Sequence, residues 1–233
     1  MQGDCLELMK DIPDGGVDMV LTDPPYGTTA CKWDTVIDLD LMWEQLKRVT
    51  KPNGAIVMTA SQPFTTTLIA SNMKIFKYTL VWYKNVNSNF MLAKKQPLRH
   101  HEEIVVFYKT QPTYNPQMVK GTPYIRKRHT AEVLNTESFG SGMKRKDSIS
   151  DIRYPKSVIE IPRDERQVHP TQKPVALMEY LIKTYTNEGE TVLDFTMGSG
   201  TTIVAAKNLN RNAIGIELDE TYFNLAKGRI ENA

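Results

Sequence analysis

The sequence predicts an α/β fold with a doubly wound, mostly parallel sheet and one inserted region. Apolar segments of strand length alternate with segments of helical spacing at both ends of the chain, as in such folds. With 233 residues and 40% hydrophobic content, the chain can bury one sizeable core. The middle of the chain lacks this alternation and is rich in basic residues, so we assign it to the inserted region.

Turn residues separate the predicted elements. The turn Pro13–Gly16 precedes the first buried strand, and Lys51–Gly54 ends a helix with apolar positions at Leu41, Leu46 and Val49. The predicted strands are 17–22, 55–59, 78–83, 103–109, 191–194 and 212–217. The predicted helices are 40–49, 65–71, 174–186 and 201–209.

The inserted region is predicted at 111–166, between two parts of one α/β domain at 1–110 and 167–233. Between Lys94 and Arg153, twelve Lys and Arg residues stand against six Asp and Glu, whereas the whole chain has a net charge of only +2. Such a cluster favours phosphate contacts with a nucleic acid, although a solvated basic loop is the alternative. The candidate contacts are Lys120, Arg126, Lys127, Arg128, Lys144, Arg145 and Lys146.

Composition argues against several other classes of protein. The chain has two cysteines, Cys5 and Cys31, and no apolar leader, so we expect a reducing, cytoplasmic setting without structural disulfides. Its apolar runs are far shorter than the roughly 20 residues of a membrane span. The four histidines and two cysteines lack the spacing of a metal site, so we expect no metal.

The first motif, Asp23-Pro24-Pro25-Tyr26, directly follows the strand that ends at Thr22. The carboxyl edge of a parallel sheet is where such folds build their sites. Because proline has no N–H, this turn offers a carboxylate, carbonyl acceptors and an aromatic ring with few competing donors. That set suits an amino group on a flat ring, but a proline-rich turn capped by aspartate is the alternative.

The second motif leads from a strand through two glycines into a helix. Glycines allow close approach to a ligand, and the free N–H groups of the helix start suit a nucleotide-like cofactor. Glu217 ends the next strand, where an acidic residue can accept hydrogen bonds from ribose hydroxyls. A plain turn and a dinucleotide site are the alternatives, although Ile203 shows that the third glycine of the dinucleotide pattern is absent. The motif residues are Asp194, Phe195, Thr196, Gly198, Ser199, Gly200, Thr201 and Thr202.

The third motif, His169-Pro170-Thr171-Gln172-Lys173-Pro174, precedes a predicted helix. Thr171 and Lys173 could bind a carboxylate there, because a hydroxyl donor and a cation both favour an anion. A solvated, proline-bounded loop is the alternative.

In this order, the motifs resemble those of the amino-methylating DNA methyltransferases of the β class, in which the catalytic tetrapeptide precedes the glycine loop. The resemblance extends over most of the chain and includes Gly3-Asp4-Cys5, Ser61-Gln62, the strand end Trp82-Tyr83-Lys84 and the pair His101-Glu102. It implies a Rossmann-like fold dependent on S-adenosylmethionine, with 111–166 as a target-recognition region. Double-stranded DNA is the implied partner, the implied source is a prokaryote or phage, and a homodimer stays open.

The resemblance also implies residue roles. Asp23, Pro24, Pro25 and Tyr26 would handle the target base, and Glu217 the cofactor ribose. Asp4 and Cys5 would contact the cofactor adenine, and Thr171 with Lys173 its methionyl carboxylate; Asp4 also fits an N-cap. Phe195 stands one position earlier than the aromatic residue of the family pattern, where this chain has Thr196.

Adenine N6 is the predicted target, because relatives acting on cytosine N4 more often have serine at the position of Asp23. The nearest alternative is cytosine N4. An RNA or protein-glutamine methyltransferase and a non-catalytic DNA-binding module also stay open. A non-catalytic module would not need the glycine loop, Glu217 and Asp23 together. The sequence has all three, which favours an enzyme.

Overall fold

The computed structural model describes residues 1–28, 34–87, 89–126, 148–164 and 172–233, with the side chains of 124–126 and 148–149 excepted. The chain divides into two compact units, one formed by Met1–Asn115 with Lys156–Ala233 and the other by Pro116–Pro155. In sequence, the second unit falls inside the predicted inserted region 111–166 and is shorter at both ends. Its role in target recognition stays a prediction.

The helices of the larger unit are α1 (Cys5–Leu8), α2 (Leu39–Val49), α3 (Phe64–Ser71), α4 (Val175–Tyr185), α5 (Thr201–Asn208) and α6 (Glu220–Glu231). Its strands are β1 (Val17–Thr22), β2 (Thr50–Ala60), β3 (Phe76–Tyr83), β4 (His101–Phe107), β7 (Val158–Glu160), β8 (Thr191–Asp194) and β9 (Asn212–Gly215). Short 3-10 helices occur at Met9–Asp11 and Phe90–Leu92. In the smaller unit, β5 (Val119–Arg126) pairs with β6 (Ser148–Arg153) as an antiparallel two-stranded sheet.

The larger unit is organised around a sheet of order β7-β3-β4-β2-β1-β8-β9. Neighbouring strands pair in parallel except where β4 runs antiparallel to both β2 and β3. The predicted doubly wound, mostly parallel α/β fold is therefore confirmed. None of the helices in the described ranges is long and apolar enough to cross a membrane.

Helices cover both faces of this sheet, as the packing of alternate β1 side chains shows. Successive side chains of a strand point to opposite faces. Accordingly, Val20 packs with helices α2 and α3 in one buried cluster, whereas Met19 and Leu21 pack with α4 and α5 in another. A strand buried on both faces is continuously apolar, as the segment around these residues is.

Helix α2 shows how local sequence sets an element. The Asp38 carboxylate accepts hydrogen bonds from the N–H groups of Asp40 and Leu41, both at 3.0 Å, and so caps the helix. Buried apolar side chains recur along one face of the helix, namely Met42, Trp43, Leu46 and Val49. Leu41, which the periodicity assigned to the apolar face, is instead 50% exposed.

Several elements differ from the sequence prediction. Strand β2 begins at Thr50, not at Ala55, because the predicted stop Lys51–Gly54 is an irregularity within the strand. Gly54 fits there because a Cβ would lie 2.5 Å from Thr50 Cγ2 and 2.8 Å from the Asp18 carbonyl oxygen. Helix α6 and strands β5, β6 and β7 were not predicted.

Strand direction determines where a site can form. Strands β1, β2, β3 and β8 are mutually parallel in direction, so they all end at one edge of the sheet, and antiparallel β4 begins there. Asp23, Ser61 and Lys84 directly follow the ends of β1, β2 and β3. The carboxyl edge of the sheet therefore gathers side chains from distant parts of the sequence.

Candidate active site

A cavity of about 1180 Å³ opens at the carboxyl edge of the sheet. Of the residues predicted to form the site, it is lined by Asp4, Cys5, Asp23, Pro24, Pro25, Tyr26, Lys173, Asp194, Phe195, Thr196, Gly198, Ser199, Thr201, Thr202 and Glu217. Gly200 does not line the cavity, and Thr171 lies outside the described residues. The first two motifs and the described part of the third, Gln172 and Lys173, thus come together although about 170 residues of sequence separate the first from the second.

Asp23 is held by three donors. Its carboxylate accepts hydrogen bonds from the Tyr26 hydroxyl at 2.6 Å, from the Thr59 hydroxyl, and from the Lys173 ammonium at 2.6 Å. A carboxylate offers about four lone-pair sites, so about one remains for a further donor. The side chain is 25% exposed, which leaves it accessible from the cavity.

Lys173 belongs to a buried chain of four charges. Its ammonium pairs with Asp23 and lies 3.3 Å from Glu102 Oε2, an ion pair without hydrogen-bonding geometry at that oxygen. The other Glu102 oxygen accepts a hydrogen bond from Lys84. Burial disfavours the charged forms of Lys173 and Glu102, but the attraction of their oppositely charged partners is larger than this penalty. The pKa of the Lys173 ammonium is therefore raised, and the pKa of Glu102 is lowered to about 2.

This pairing differs from the role predicted for Lys173. The sequence prediction assigned its ammonium to a carboxylate of the cofactor, whereas in the structure it binds the carboxylate of Asp23. Sequence reasoning could not detect the pair, because the two residues are 150 positions apart.

Tyr26 is fixed at both its ring and its backbone. The ring stacks on Phe64 with centroids 5.3 Å apart, and burial, followed by the Asp23 charge, raises the pKa of the phenol well above its usual range. The Asp34 carboxylate accepts hydrogen bonds from the backbone N–H groups of Tyr26, Gly27 and Thr28 at 2.7, 2.8 and 2.9 Å. Asp34, which was not predicted, thus fixes the turn after Pro25.

Asp194 links the glycine loop to the first motif. Its carboxylate accepts hydrogen bonds from the Thr22 hydroxyl at 2.7 Å and the Thr196 N–H at 3.2 Å. The Thr196 hydroxyl in turn donates to the Asp23 carbonyl oxygen at 3.3 Å. Phe195 is among the residues that line the cavity, but it is only 1% exposed and packs in the core.

The two glycines of the loop have different roles. Gly198 and Gly200 both have a positive φ, of 50° and 78°, which favours glycine. A Cβ at Gly200 would lie 3.0 Å from the Ala226 Cβ, so this glycine permits close packing against α6. A Cβ at Gly198 would meet nothing within 4 Å. Since Gly198 lines the cavity, its open side leaves room for a ligand.

Glu217 closes this side of the cavity. Its carboxylate accepts hydrogen bonds from the N–H groups of Gly198 at 2.8 Å and Asp219 at 2.9 Å. About two of its four lone-pair sites remain open to other donors. Its backbone pairs with the start of the chain through the Gly3 N–H, at 2.8 Å.

Asp4 and Cys5 begin helix α1 beside Glu217. The Asp4 carboxylate accepts hydrogen bonds from the N–H groups of Leu6 at 2.8 Å and Glu7 at 3.3 Å, so the N-cap is observed. Burial, with a smaller contribution from the Asp4 charge, raises the pKa of the Cys5 thiol to about 11. Since the thiolate is the reactive form, Cys5 is a poor nucleophile.

Arg229 supports the glycine loop from the unpredicted helix α6. Its guanidinium donates to the Ser199 carbonyl oxygen at 3.2 Å and to the Thr201 hydroxyl at 2.9 Å. No sequence motif marks this residue, because its contact depends on where α6 packs.

The predicted DNA contacts are only partly described. Lys120 is exposed on β5, and Arg126 ends the same strand. Lys127, Arg128, Lys144, Arg145 and Lys146 lie outside the described residues. All seven contacts stay predictions.

The buried Asp194 carboxyl predicts a measurable pH dependence of stability. Burial raises its pKa to about 6, so between pH 4 and 6 the unfolded chain releases this proton more readily than the folded chain. The free energy of unfolding of wild type relative to Asp194→Asn should therefore fall by about 3 kcal/mol as pH rises through that window, at about 1.4 kcal/mol per pKa unit. Urea unfolding of both proteins from pH 4 to 7 measures it, and a constant difference would contradict the prediction.

Known proteins are similar to this chain in sequence and in fold. A family model described as DNA methylase, of the N6/N4 methyltransferase type, matches residues 17–228. The Type II methyltransferase M.HpaI of Haemophilus parainfluenzae is 28% identical, with 98% of this chain and 72% of that protein covered. M.BglII of Bacillus subtilis is 31% identical, with 96% and 66% covered.

A solved structure is also similar to this chain in fold. The crystal structure titled M1.HpyAVI-SAM complex superposes with a TM-score of 0.66 at 27% identity, covering 98% of both chains. The family match spans well over half of the present sequence. The chain therefore belongs to the N6/N4 family of DNA methylases, which depend on S-adenosylmethionine.

Proposed function

We propose that this chain transfers a methyl group from S-adenosylmethionine to N6 of adenine in double-stranded DNA. The observation that carries the proposal is the Asp23 carboxylate, which faces the cavity with about one lone-pair site still open. A carboxylate is a strong acceptor for a hydrogen of an exocyclic amine. The family acts on adenine N6 or cytosine N4. Adenine is proposed because the resemblance noted in the sequence associates serine at the position of Asp23 with cytosine.

Asp23 and Pro24 would hold the target amine. The amine nitrogen is a poor nucleophile while its lone pair is delocalised into the ring. An Asp23 oxygen and the Pro24 carbonyl could accept its two hydrogens and favour a more tetrahedral nitrogen. Because Lys173, Thr59 and Tyr26 fix the carboxylate before the base arrives, orienting the amine requires little rearrangement.

The residues around the glycine loop fit the cofactor. Gly198 leaves open space in the cavity, and Glu217 has lone-pair sites left for ribose hydroxyls. Asp4, Cys5, Asp194 and Ser199 line the same cavity and would complete the pocket. Bound there, S-adenosylmethionine supplies an electrophilic methyl group on a positively charged sulfur.

The chain's own residues would then align the reaction. The amine nitrogen held by Asp23 and Pro24 would gain the methyl group that the cofactor supplies and would lose one proton to solvent. The Asp23 carboxylate, fixed in place by its ion pair with Lys173, would stabilise the positive charge that develops on the amine before that proton leaves. Alignment and exclusion of water are the main requirements, and no covalent intermediate with the chain is needed.

The target base must leave the DNA stack to enter the cavity. Unstacking costs a few kcal/mol, which contacts with an aromatic side chain such as Tyr26 can partly offset. The basic residues predicted at 111–166, including Lys120 and Arg126, would contribute phosphate contacts.

Product analysis tests the proposal directly. Wild type incubated with S-adenosylmethionine and unmethylated duplex DNA should yield N6-methyladenine, detected by mass spectrometry of the digested nucleosides. Asp23→Ala should lower the rate by at least about a hundredfold, the order seen when a group that stabilises developing charge is lost. Asp11→Ala, which removes an exposed carboxylate, should leave the rate unchanged.

A different product would change the conclusion. N4-methylcytosine would retain the mechanism and overturn the choice of base. No methylated nucleoside from wild type would overturn the proposed reaction on DNA and direct the search to RNA or protein amides.

A pair of glycine variants tests the cofactor pocket. Gly198→Ala should weaken S-adenosylmethionine binding by at least roughly tenfold, equivalent to about 1.4 kcal/mol, because its methyl group would enter the cavity. Gly189→Ala is the matched control, since Gly189 also has a positive φ, of 79°, and open space around a Cβ but does not line the cavity. Calorimetric titration measures both affinities, and equal losses would contradict the assignment.

A further inference from the structure

The connection between β3 and β4, residues 84–100, leaves the sheet at the same edge as Asp23. It begins with Lys84, which lines the cavity, and returns through Arg99, which also lines it and donates to the Ser61 hydroxyl. The structure describes this connection apart from Ser88. Both of its ends are therefore anchored at the cavity.

The middle of the connection exposes an apolar tip, which we define as Phe90–Leu92. Phe90 is 71% exposed, Met91 84% and Leu92 40%. Within the described ranges, this is the only run of three consecutive exposed large hydrophobic residues. Single exposed hydrophobic residues need no explanation, but a contiguous exposed group indicates an interaction surface, and this group lies on a connection whose two ends line the cavity.

The tip has a defined local structure. It forms a 3-10 helix, and the Asn89 side chain before it closes the connection. The Asn89 side-chain oxygen accepts a hydrogen bond from the Arg99 N–H at 2.6 Å, and its amide donates to the Pro97 carbonyl oxygen at 3.2 Å. These bonds join the two arms of the connection and present the tip outward.

The Lys and Arg side chains of the connection have no acidic counterparts within it. Residues 84–100 contain Lys84, Lys94, Lys95 and Arg99 and no Asp or Glu. Lys94 and Lys95, two and three residues beyond the tip, are exposed. An apolar group flanked by positive charge is complementary to a partner that carries both apolar flat faces and regular negative charge.

We propose that residues 84–100 form a second DNA-contacting surface, distinct from the predicted region 111–166. Lys94 and Lys95 contact phosphates, and Phe90 and Met91 pack against base faces beside the opened target position. Apolar side chains are known to insert at base steps that a protein unstacks, and removing a base from the stack creates such a step. This inference rests on the proposed DNA substrate.

DNA fits this surface better than a second copy of the chain does. If two copies met through this connection, Lys94 and Lys95 of one copy would approach the same lysines of the other and repel them. Acidic residues could relieve this repulsion, but residues 84–100 contain no Asp or Glu. Phosphates supply the opposite charge directly.

Photocrosslinking tests the contact without requiring methyl transfer. The photoreactive analogue p-benzoylphenylalanine would replace Phe90 in the full chain, which is then irradiated with a labelled, random-sequence duplex pool and S-adenosylmethionine. The same analogue at Met73 is the matched control, because Met73 is 60% exposed but precedes β3 at the opposite edge of the sheet. We expect protein–DNA adducts from position 90 and not from position 73.

A second measurement tests the lysines and the apolar tip separately. Lys94→Gln with Lys95→Gln should reduce the slope of log affinity for duplex DNA against log salt by about 2, close to one unit for each lost phosphate contact. Lys74→Gln, at the opposite edge, should not change it. Phe90→Ala with Met91→Ala should weaken DNA binding about tenfold, as expected for a lost base contact, without changing S-adenosylmethionine affinity.

The outcomes separate this inference from the proposed function. If wild type methylates DNA but position 90 gives no DNA adduct and the salt slope is unchanged, the inference is overturned and the proposed function stands. Adducts between two copies of the chain at position 90 would also overturn it, in favour of a dimer. DNA adducts from a wild-type-like protein that forms no methylated nucleoside would support the inference and overturn the proposed reaction.

Discussion

The ion pair between the partly exposed Asp23 and the buried Lys173 is the interaction on which the candidate site depends. It joins the end of β1 to the segment before α4, and Glu102 and Lys84 extend it to β4 and β3. Two carboxylates and two ammonium groups balance to zero net charge. A buried ion pair adds little to stability, but removing one partner costs about 3–5 kcal/mol where it leaves a buried charge unpaired. Loss of Lys173 would remove the ion-pair partner of Asp23, whereas loss of Asp23 would leave Lys173 paired with Glu102 alone.

Strand register accounts for much of this arrangement. Thr22 is opposite Met58 in the parallel pair of β1 and β2, so the next residues, Asp23 and Thr59, lie close enough to bond. The antiparallel pairing of Trp82 with Glu102 likewise brings Lys84 to Glu102. Side chains that form the site are thus neighbours because of sheet pairing, although they are distant in sequence.

The fold class and most elements at both ends of the chain could be predicted from sequence because their signals are local. Strands such as β1 and β8 are short apolar segments, and the motifs directly follow them. Helix α6 was missed because only Ala226 is buried along it, so it lacks a strong apolar period. The start of β2 was missed because residues typical of a turn, Lys51–Gly54, lie within a strand irregularity.

The gathering of motifs at the cavity could also be anticipated, but the partners of each residue could not. Asp34, Thr59 and Arg229 carry no recognisable motif, and each acts by fixing a predicted residue. Lys173 was predicted for the site with a different partner. Pairing between side chains follows from tertiary geometry, which residue spacing along the sequence does not encode.

Sheet order also separates the charges that line the cavity. Asp194 ends β8 and Glu217 follows β9 on one side of β1, and Asp4 lies near Glu217 at the start of the chain. Arg99 belongs to the connection between β3 and β4, on the other side of β1, and Lys84 of the same connection is neutralised by Glu102. The acidic side matches a cofactor whose sulfur is cationic, and the Arg99 guanidinium matches a polyanionic substrate. Asp23 follows the strand between them, where a methyl group would pass from one to the other.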